Sequence, residues 1–311
     1  MCMPRLHDPA NLRSVEAAAR DTAGVVSLST LRAADVTRGQ RQAQVDARRW
    51  VAVPRRGIVT TTGEPYGEAA LRLALLQVGP TAALGGVTAR EWCGLTGFAE
   101  ERGLHLWVRK SGFKTRRPGI VLHETRRWSE DDVETTGIRR SRPPAATLQA
   151  ALWARSARQA SLLLTMAVQQ RVVRADDLVE PFSAVRRHPY RAVLLGVLGD
   201  VRGGAHSLNE LDFARLCRDH GLPEPDRQTR RTTSQGRIHL DVYWDRYGVA
   251  VEVDGSGHGV LTQAMSDEIR SLDLQATGDA AVQVSSVTLR ADPAPFFAAL
   301  ARLLRARGWS A

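Results

Sequence analysis

Asp241, Glu252 and Asp254 fall in one short stretch, Leu240 to Gly255 (LDVYWDRYGVAVEVDG). Ile238 to Trp244 and Tyr247 to Val253 are β-prone, and Asp245-Arg246-Tyr247-Gly248 between them has turn chemistry, so the stretch predicts a hairpin. Residues i and i+2 of a strand share a face, so Glu252 and Asp254 point the same way, and a hairpin can bring Asp241 beside them. Converging carboxylates repel one another unless a cation lies between them. Hard divalent ions such as Mg²⁺ take one or two carboxylates together with waters and phosphate oxygens. Such a centre can activate water and clamp a phosphodiester. A further acid, Glu210, lies in the first turn of a predicted helix that Ser207 caps, with Leu208, Leu211 and Leu216 as its apolar spacing. From there it could reach the hairpin acids.

A second group of residues could touch DNA. Three short helices are expected at Leu12 to Ala23, Ser27 to Ala34 and Arg38 to Arg49, the last capped by Thr37. Trp50 to Thr60 then reads as strand, basic turn, strand. Three helices and a hairpin form a winged helix-turn-helix pattern. Its third helix would enter the major groove, and Arg55 and Arg56 on the wing would touch the backbone. Candidate contacts on that helix are Arg38, Gln40, Arg41, Gln42 and Gln44. A winged helix can also serve protein contacts alone.

The elements between and after these two groups set the domain organisation. A chain of 311 residues suits two or three domains. We expect residues 1–63 to be the winged helix, 64–204 a mixed α/β and then helical linking part, and 205–311 an α/β sheet packed by helices. In the middle part, Glu64 to Val78 and Thr81 to Trp92 read as helices, the second broken at Gly85-Gly86. Leu104 to Val108 and Ile120 to His123 read as strands around a basic loop, Arg109 to Arg117. His105 and His123 alternate with apolar residues, which suits a sheet surface better than a metal site. Pro143-Pro144 marks a break. Helices follow at Ala145 to Ala154, Gln159 to Gln170, from Asp176, and at Tyr190 to Leu198, with Leu162, Leu163 and Met166 as a core stripe. Val201 to Ala205 reads as a Gly-rich linker. The last part has the order α-β-β-β-α-β-α, with a helix at Leu261 to Ala276, a strand at Ala281 to Leu289 and a closing helix at Pro295 to Arg307.

Composition narrows the class of function. The net charge is +10, and of 43 basic residues only Lys110 and Lys114 are lysines. A basic, arginine-rich surface is attracted to polyanions, and the guanidinium fork suits phosphate. No apolar run approaches the length of a membrane span, and the N-terminus shows no signal-peptide pattern. Cys2, Cys93 and Cys217 are too scattered for a disulfide framework or a metal knot, which suits a reducing cytoplasm.

The ordered acids resemble the PD-(D/E)xK restriction-endonuclease-like superfamily, and within it the domains related to the very-short-patch repair endonuclease. The matching residues are Ser207 and Glu210, Asp241, Glu252-Val253-Asp254-Gly255 with His258, and Asp267 with Arg270; Gly221 to Gln228 (GLPEPDRQ) also fits. The first 60 residues resemble the N-terminal domain of AbiEi-type antitoxins of type IV toxin–antitoxin systems, and Arg139 to Ala154 resembles a segment of the same proteins. Fusions of these two parts are familiar from actinobacteria. The resemblance implies that Asp241 and Glu252 bind Mg²⁺ or Mn²⁺, that Glu210 helps hold the metal or its water, and that Arg270 steadies a phosphate or pairs with a carboxylate. The sequence departs from the superfamily in two respects, one of them being Gln283 where relatives often carry arginine. Asp254 stands where a lysine is usual, and no lysine follows Lys114. Arginine cannot give up its proton near neutral pH, so His258 is the preferred base.

The expectation is a metal-dependent DNA endonuclease with a DNA-binding N-terminal region. The alternative is an antitoxin-like transcriptional regulator whose nuclease-like domain is inactive. DNA is the expected partner, with a cognate toxin or a second copy of the chain as further partners.

Overall fold

A computed structural model of the chain describes residues 9–98, 103–110, 115–126, 128–203, 210–226, 230–233, 236–239, 242–254 and 278–310. Helices and small sheets alternate throughout, so the fold is mixed α+β. Among the described residues no helix is long and apolar enough to cross a membrane. The chain forms two compact units. One takes in Met1–Trp92 and Phe98–Arg142, the other Cys93–Gly97 and Pro143–Ala311.

The first unit opens with α1 (Pro9–Asp21), β1 (Val25–Ser27), α2 (Leu28–Ala33) and α3 (Arg38–Asp46), followed by β2 (Val51–Val53) and β3 (Gly57–Val59). The strands form one antiparallel sheet in the order β1-β3-β2. Strand alternation gives this sheet two apolar faces. Val26 and Ile58 pack with Val15, Ala19 and Leu31 of the helices, while Val25, Val53 and Val59 pack against Ala69, Leu73 and Leu76. Those last three belong to α4 (Glu68–Val78). The expected boundary at residues 63 and 64 therefore falls inside the unit, because α4 covers the second face of the sheet.

A second sheet follows, in the order β6-β5-β4-β8-β7: β4 (Ala83–Leu84), β5 (Leu104–Arg109), β6 (Ile120–Thr125), β7 (Val133–Glu134) and β8 (Arg140–Ser141). Residues 83 and 84 were expected in a helix. They are a short strand, and α5 (Gly86–Trp92) starts only after the glycine pair. β5 and β6 run parallel, longer than expected, with Trp107 in register with His123.

In the second unit, α6 (Pro143–Trp153) starts at the predicted break, where proline suits a first turn. α7 (Ala157–Gln169), α8 (Val179–Ser183) and α9 (Arg191–Gly203) follow. Leu163 and Leu164 are buried on α7 whereas Leu162 is 40% exposed, so the core stripe is shifted from the expected one. The supposed linker at 201 is helical as far as Gly203.

After α10 (Glu210–Asp219) come β9 (Arg230–Thr233) and β10 (Gly236–His239), which pair with each other. β11 (Val242–Trp244) pairs antiparallel with β12 (Val249–Asp254), which runs parallel to β13 (Ala280–Ser285). The strand expected from Ile238 to Trp244 is thus divided between two sheets. The turn between β11 and β12 ends on Gly248 at φ 58, where a Cβ would lie 2.8 Å from Asp279 Oδ1. The strand expected to reach Leu289 stops at Ser285, whose side chain accepts a hydrogen bond from Thr288 N and so starts the helix Ser286–Ala291. A closing helix, Pro293–Ala306, completes the core around Phe213, Trp244, Val249, Val251 and Phe297. Arg290 makes two bonds to the fully buried Asp200 of α9, at 2.7 and 2.9 Å. The expected boundary at residues 204 and 205 therefore also falls inside a unit. The helix expected at Leu261 to Ala276 lies outside the described residues.

Candidate functional site

α3 is built as a surface element. It fully buries no residue; Val45 alone packs its apolar side against the helical core, and its start is fixed by reciprocal capping. Thr37 Oγ1 accepts from Gln40 N at 3.2 Å, and Gln40 Oε1 accepts from Thr37 N at 2.8 Å. The cap takes Gln40 out of the candidate contacts. Gln42 is exposed but donates to Asp46 Oδ1 at 2.8 Å. Gln44 Oε1 accepts from Arg49 Nη1 at 3.4 Å. Arg38 and Arg41 remain, three apart and so neighbours on the helix surface. Neither guanidinium has an ion pair among the described residues.

The two arginines of the hairpin turn have different surroundings. Arg56 N donates to Val53 O at 3.0 Å and closes the turn. Pro54 and Arg55 are its central residues, with Arg55 at φ 62, exposed and without an ion pair among the described residues. Arg56 is half-buried. Its Nη2 donates to Val78 O, at the C-terminal end of α4, at 3.3 Å and to Thr115 Oγ1 at 3.4 Å. A cation at a helix C-terminus is favourably placed, so Arg56 anchors the turn to the body of the unit. Expected as a DNA contact, it serves first as that anchor. Nine arginines between residues 9 and 63 stand against four carboxylates, Glu16, Asp21, Asp35 and Asp46.

Of the acids expected in a metal centre, Glu252 has a described side chain. It is half-buried on β12. Val249 and Val251 face the helical core, whereas Ala250 packs with Tyr243 on the opposite side. By alternation Glu252 shares that opposite side. Its register partner is Gln283, exposed on β13. Val242 pairs with Val251, and the next residues outward in sequence are Asp241 and Glu252. Glu210 is the first residue of α10, and Asp254 ends β12 opposite Ser285; their side chains lie outside the described set. Asp241, His258 and Arg270 lie outside the described residues altogether, as do Ser207, Gln228 and Asp267. Among the described residues no three of His, Cys, Asp and Glu are grouped to hold a metal ion.

His105 and His123 face each other on the second sheet, His123 Nε2 3.1 Å from His105 Nδ1 with the rings stacked. Burial, and next the neighbouring His105, lowers the pKa of His123 to about 4. Sequence placed these residues on a sheet surface. Their side-by-side meeting depends on parallel register, which the sequence does not carry.

No protein-family model matches the chain, and no curated protein matches it. The crystal structure of the RV2827C protein from Mycobacterium tuberculosis is similar with a TM-score of 0.38 and 16% identity, over 63% of this chain and 78% of that one. A likeness of that size carries no argument about fold or function.

Proposed function

We propose that residues 9–63 form a winged helix-turn-helix that binds double-stranded DNA, with α3 in the major groove and the β2–β3 turn along the backbone. One observation carries the proposal. α3 fully buries none of its residues and presents Arg38 and Arg41 without an ion pair among the described residues, while the hairpin tip presents Arg55. A helix that packs only Val45 against the core contributes little to it, and what the rest of the helix offers is a basic surface suited to phosphates and guanine edges. Footprinting of the full chain without divalent metal tests this. A protected site whose affinity falls about tenfold or more in Arg41→Ala supports it, in line with the worth of one good base contact. Binding that ignores both Arg41→Ala and Arg55→Ala contradicts it.

A second reading concerns the C-terminal sheet. We propose that Asp241, Glu252 and Glu210 hold Mg²⁺ or Mn²⁺ and that the chain is a DNA endonuclease, with His258 as base. The β11–β12 register and the position of Glu252 on the face away from the helical core favour it. A donor set made only of oxygen suits these hard ions, which supply a polarised water for attack on phosphorus. Plasmid cleavage with Mn²⁺ that is lost in Glu252→Gln supports a nuclease. Cleavage equal in both contradicts this site. DNA binding with no cleavage in either favours the antitoxin-like regulator, in which the winged helix carries the function.

A further inference from the structure

We propose that the N-terminal unit has a binding site for an organic anion with an apolar body, in a cavity behind the hairpin turn. The cavity measures about 590 Å³, within the range of small-molecule sites, roughly 300–1,000 Å³. Four arginines line it: Arg55 and Arg56 from the turn, Arg72 from α4 and Arg139 from the segment before β8. No carboxylate is among its described lining residues. Arg72 and Arg139 each have an acidic partner outside the lining. Arg72 Nε donates to Glu68 at 2.7 Å, and Arg139 Nη2 to Glu130 at 2.9 Å. Arg55 has no ion pair among the described residues, so the described lining keeps an excess of positive charge.

These cations are partly withdrawn from water. The Arg72 side chain is 17% exposed and that of Arg139 29%, and Arg139 Nε is buried with no hydrogen-bond partner among the described residues. A guanidinium shielded from solvent attracts an anion more strongly than one at the surface. The rest of the wall is largely apolar, with Val26, Leu76 and Ile138 among its residues. A small hydrated ion would leave that surface unfilled. An anion carried on a hydrophobic body would match both halves of the lining, with the charge on Arg72 and Arg139. The hydroxyls at the cavity edge bond mainly to one another, Ser27 Oγ lying 2.7 Å from Ser29 Oγ and 2.8 Å from Thr30 Oγ1. This places recognition on the arginines. The inference does not depend on DNA binding.

Fluorescence titration of the full chain with anilinonaphthalene sulfonate tests the site, since that probe joins an anion to an apolar body. The expected result is one site per chain, weakened about tenfold or more in Arg72→Met and partly restored in Arg72→Lys, as loss of a charge-assisted bond implies. Neutral N-phenylnaphthylamine should bind much more weakly, and inorganic phosphate should compete poorly. Melting curves are recorded first, and Arg139→Met provides the same comparison if Arg72→Met does not fold. Wild-type affinity in the methionine variant that folds would overturn the site. So would equal affinity for the neutral probe, which would mean an apolar surface only, or efficient competition by phosphate, which would mean a phosphate site.

Discussion

Gly57 lies where the chain admits no side chain. A Cβ there would come within 2.0 Å of Val26 O on the neighbouring strand. Gly57→Ala must part β1 from β3, and we expect a loss of about 2–3 kcal/mol or more, in the upper range for overpacking, measured by urea denaturation. His123 predicts a pH dependence. Its pKa in the folded chain is lowered to about 4 from 6.5. Between those values the unfolded chain binds the proton and the folded chain does not, so stability falls as pH drops from 6.5 towards 4. The urea midpoint of wild type should decline over that window, and His123→Gln should flatten the decline; an unchanged slope would contradict the assignment. Neither feature was legible in the sequence. Gly57 reads as an ordinary turn glycine, and the histidine pair requires the register of β5 against β6. Arg55 and Arg56 were legible as basic turn residues, but only the structure separates the exposed tip from the anchor.

Among the elements, α3 is the most exposed to loss of its cap. It has nine residues and buries none, and helices that short are marginal without packing. Thr37→Ala should cost about 1 kcal/mol, seen as faster hydrogen exchange confined to α3, whereas Thr37→Ser should keep the cap. Exchange unchanged by Thr37→Ala would show that something else holds the helix. The helices of this region were legible because their signals are local, such as Thr37 with Gln40 three residues later. β1 was missed because two adjacent valines have no period to distinguish a buried strand from the entry to a helix. The division of residues 238–244 between two sheets was missed for another reason: continuous β propensity does not say which partner each half takes.

For the molecule as a whole, the informative contact in the second unit is Arg290 with Asp200. The carboxylate is fully buried and is held by a bidentate guanidinium. The guanidinium lies across α9 where Gly196 leaves room; a Cβ there would approach it to 3.0 Å. Arg290→Met should cost about 3–5 kcal/mol, because it leaves a buried charge without its partner, and adding Asp200→Asn should restore much of that loss. A thermal melt of the three variants checks this, and a single variant as stable as wild type would contradict it. These residues are ninety positions apart, and the sequence gives no sign that they meet. It did show the mixed α+β class and the break at Pro143. Of the expected metal centre, the described structure adds the placement of Glu252 beside Gln283.

The salt dependence of DNA affinity tests the central proposal most directly. Each phosphate neutralised adds about 0.9 to the slope of log affinity against log salt. Fluorescence anisotropy of the full chain on duplex DNA, without divalent metal, should give a steep negative slope. In Arg38→Ala/Arg41→Ala/Arg55→Ala the affinity should collapse and the slope should become shallower by about 1 or more. A slope and affinity equal to wild type would contradict a DNA surface made of α3 and the hairpin tip.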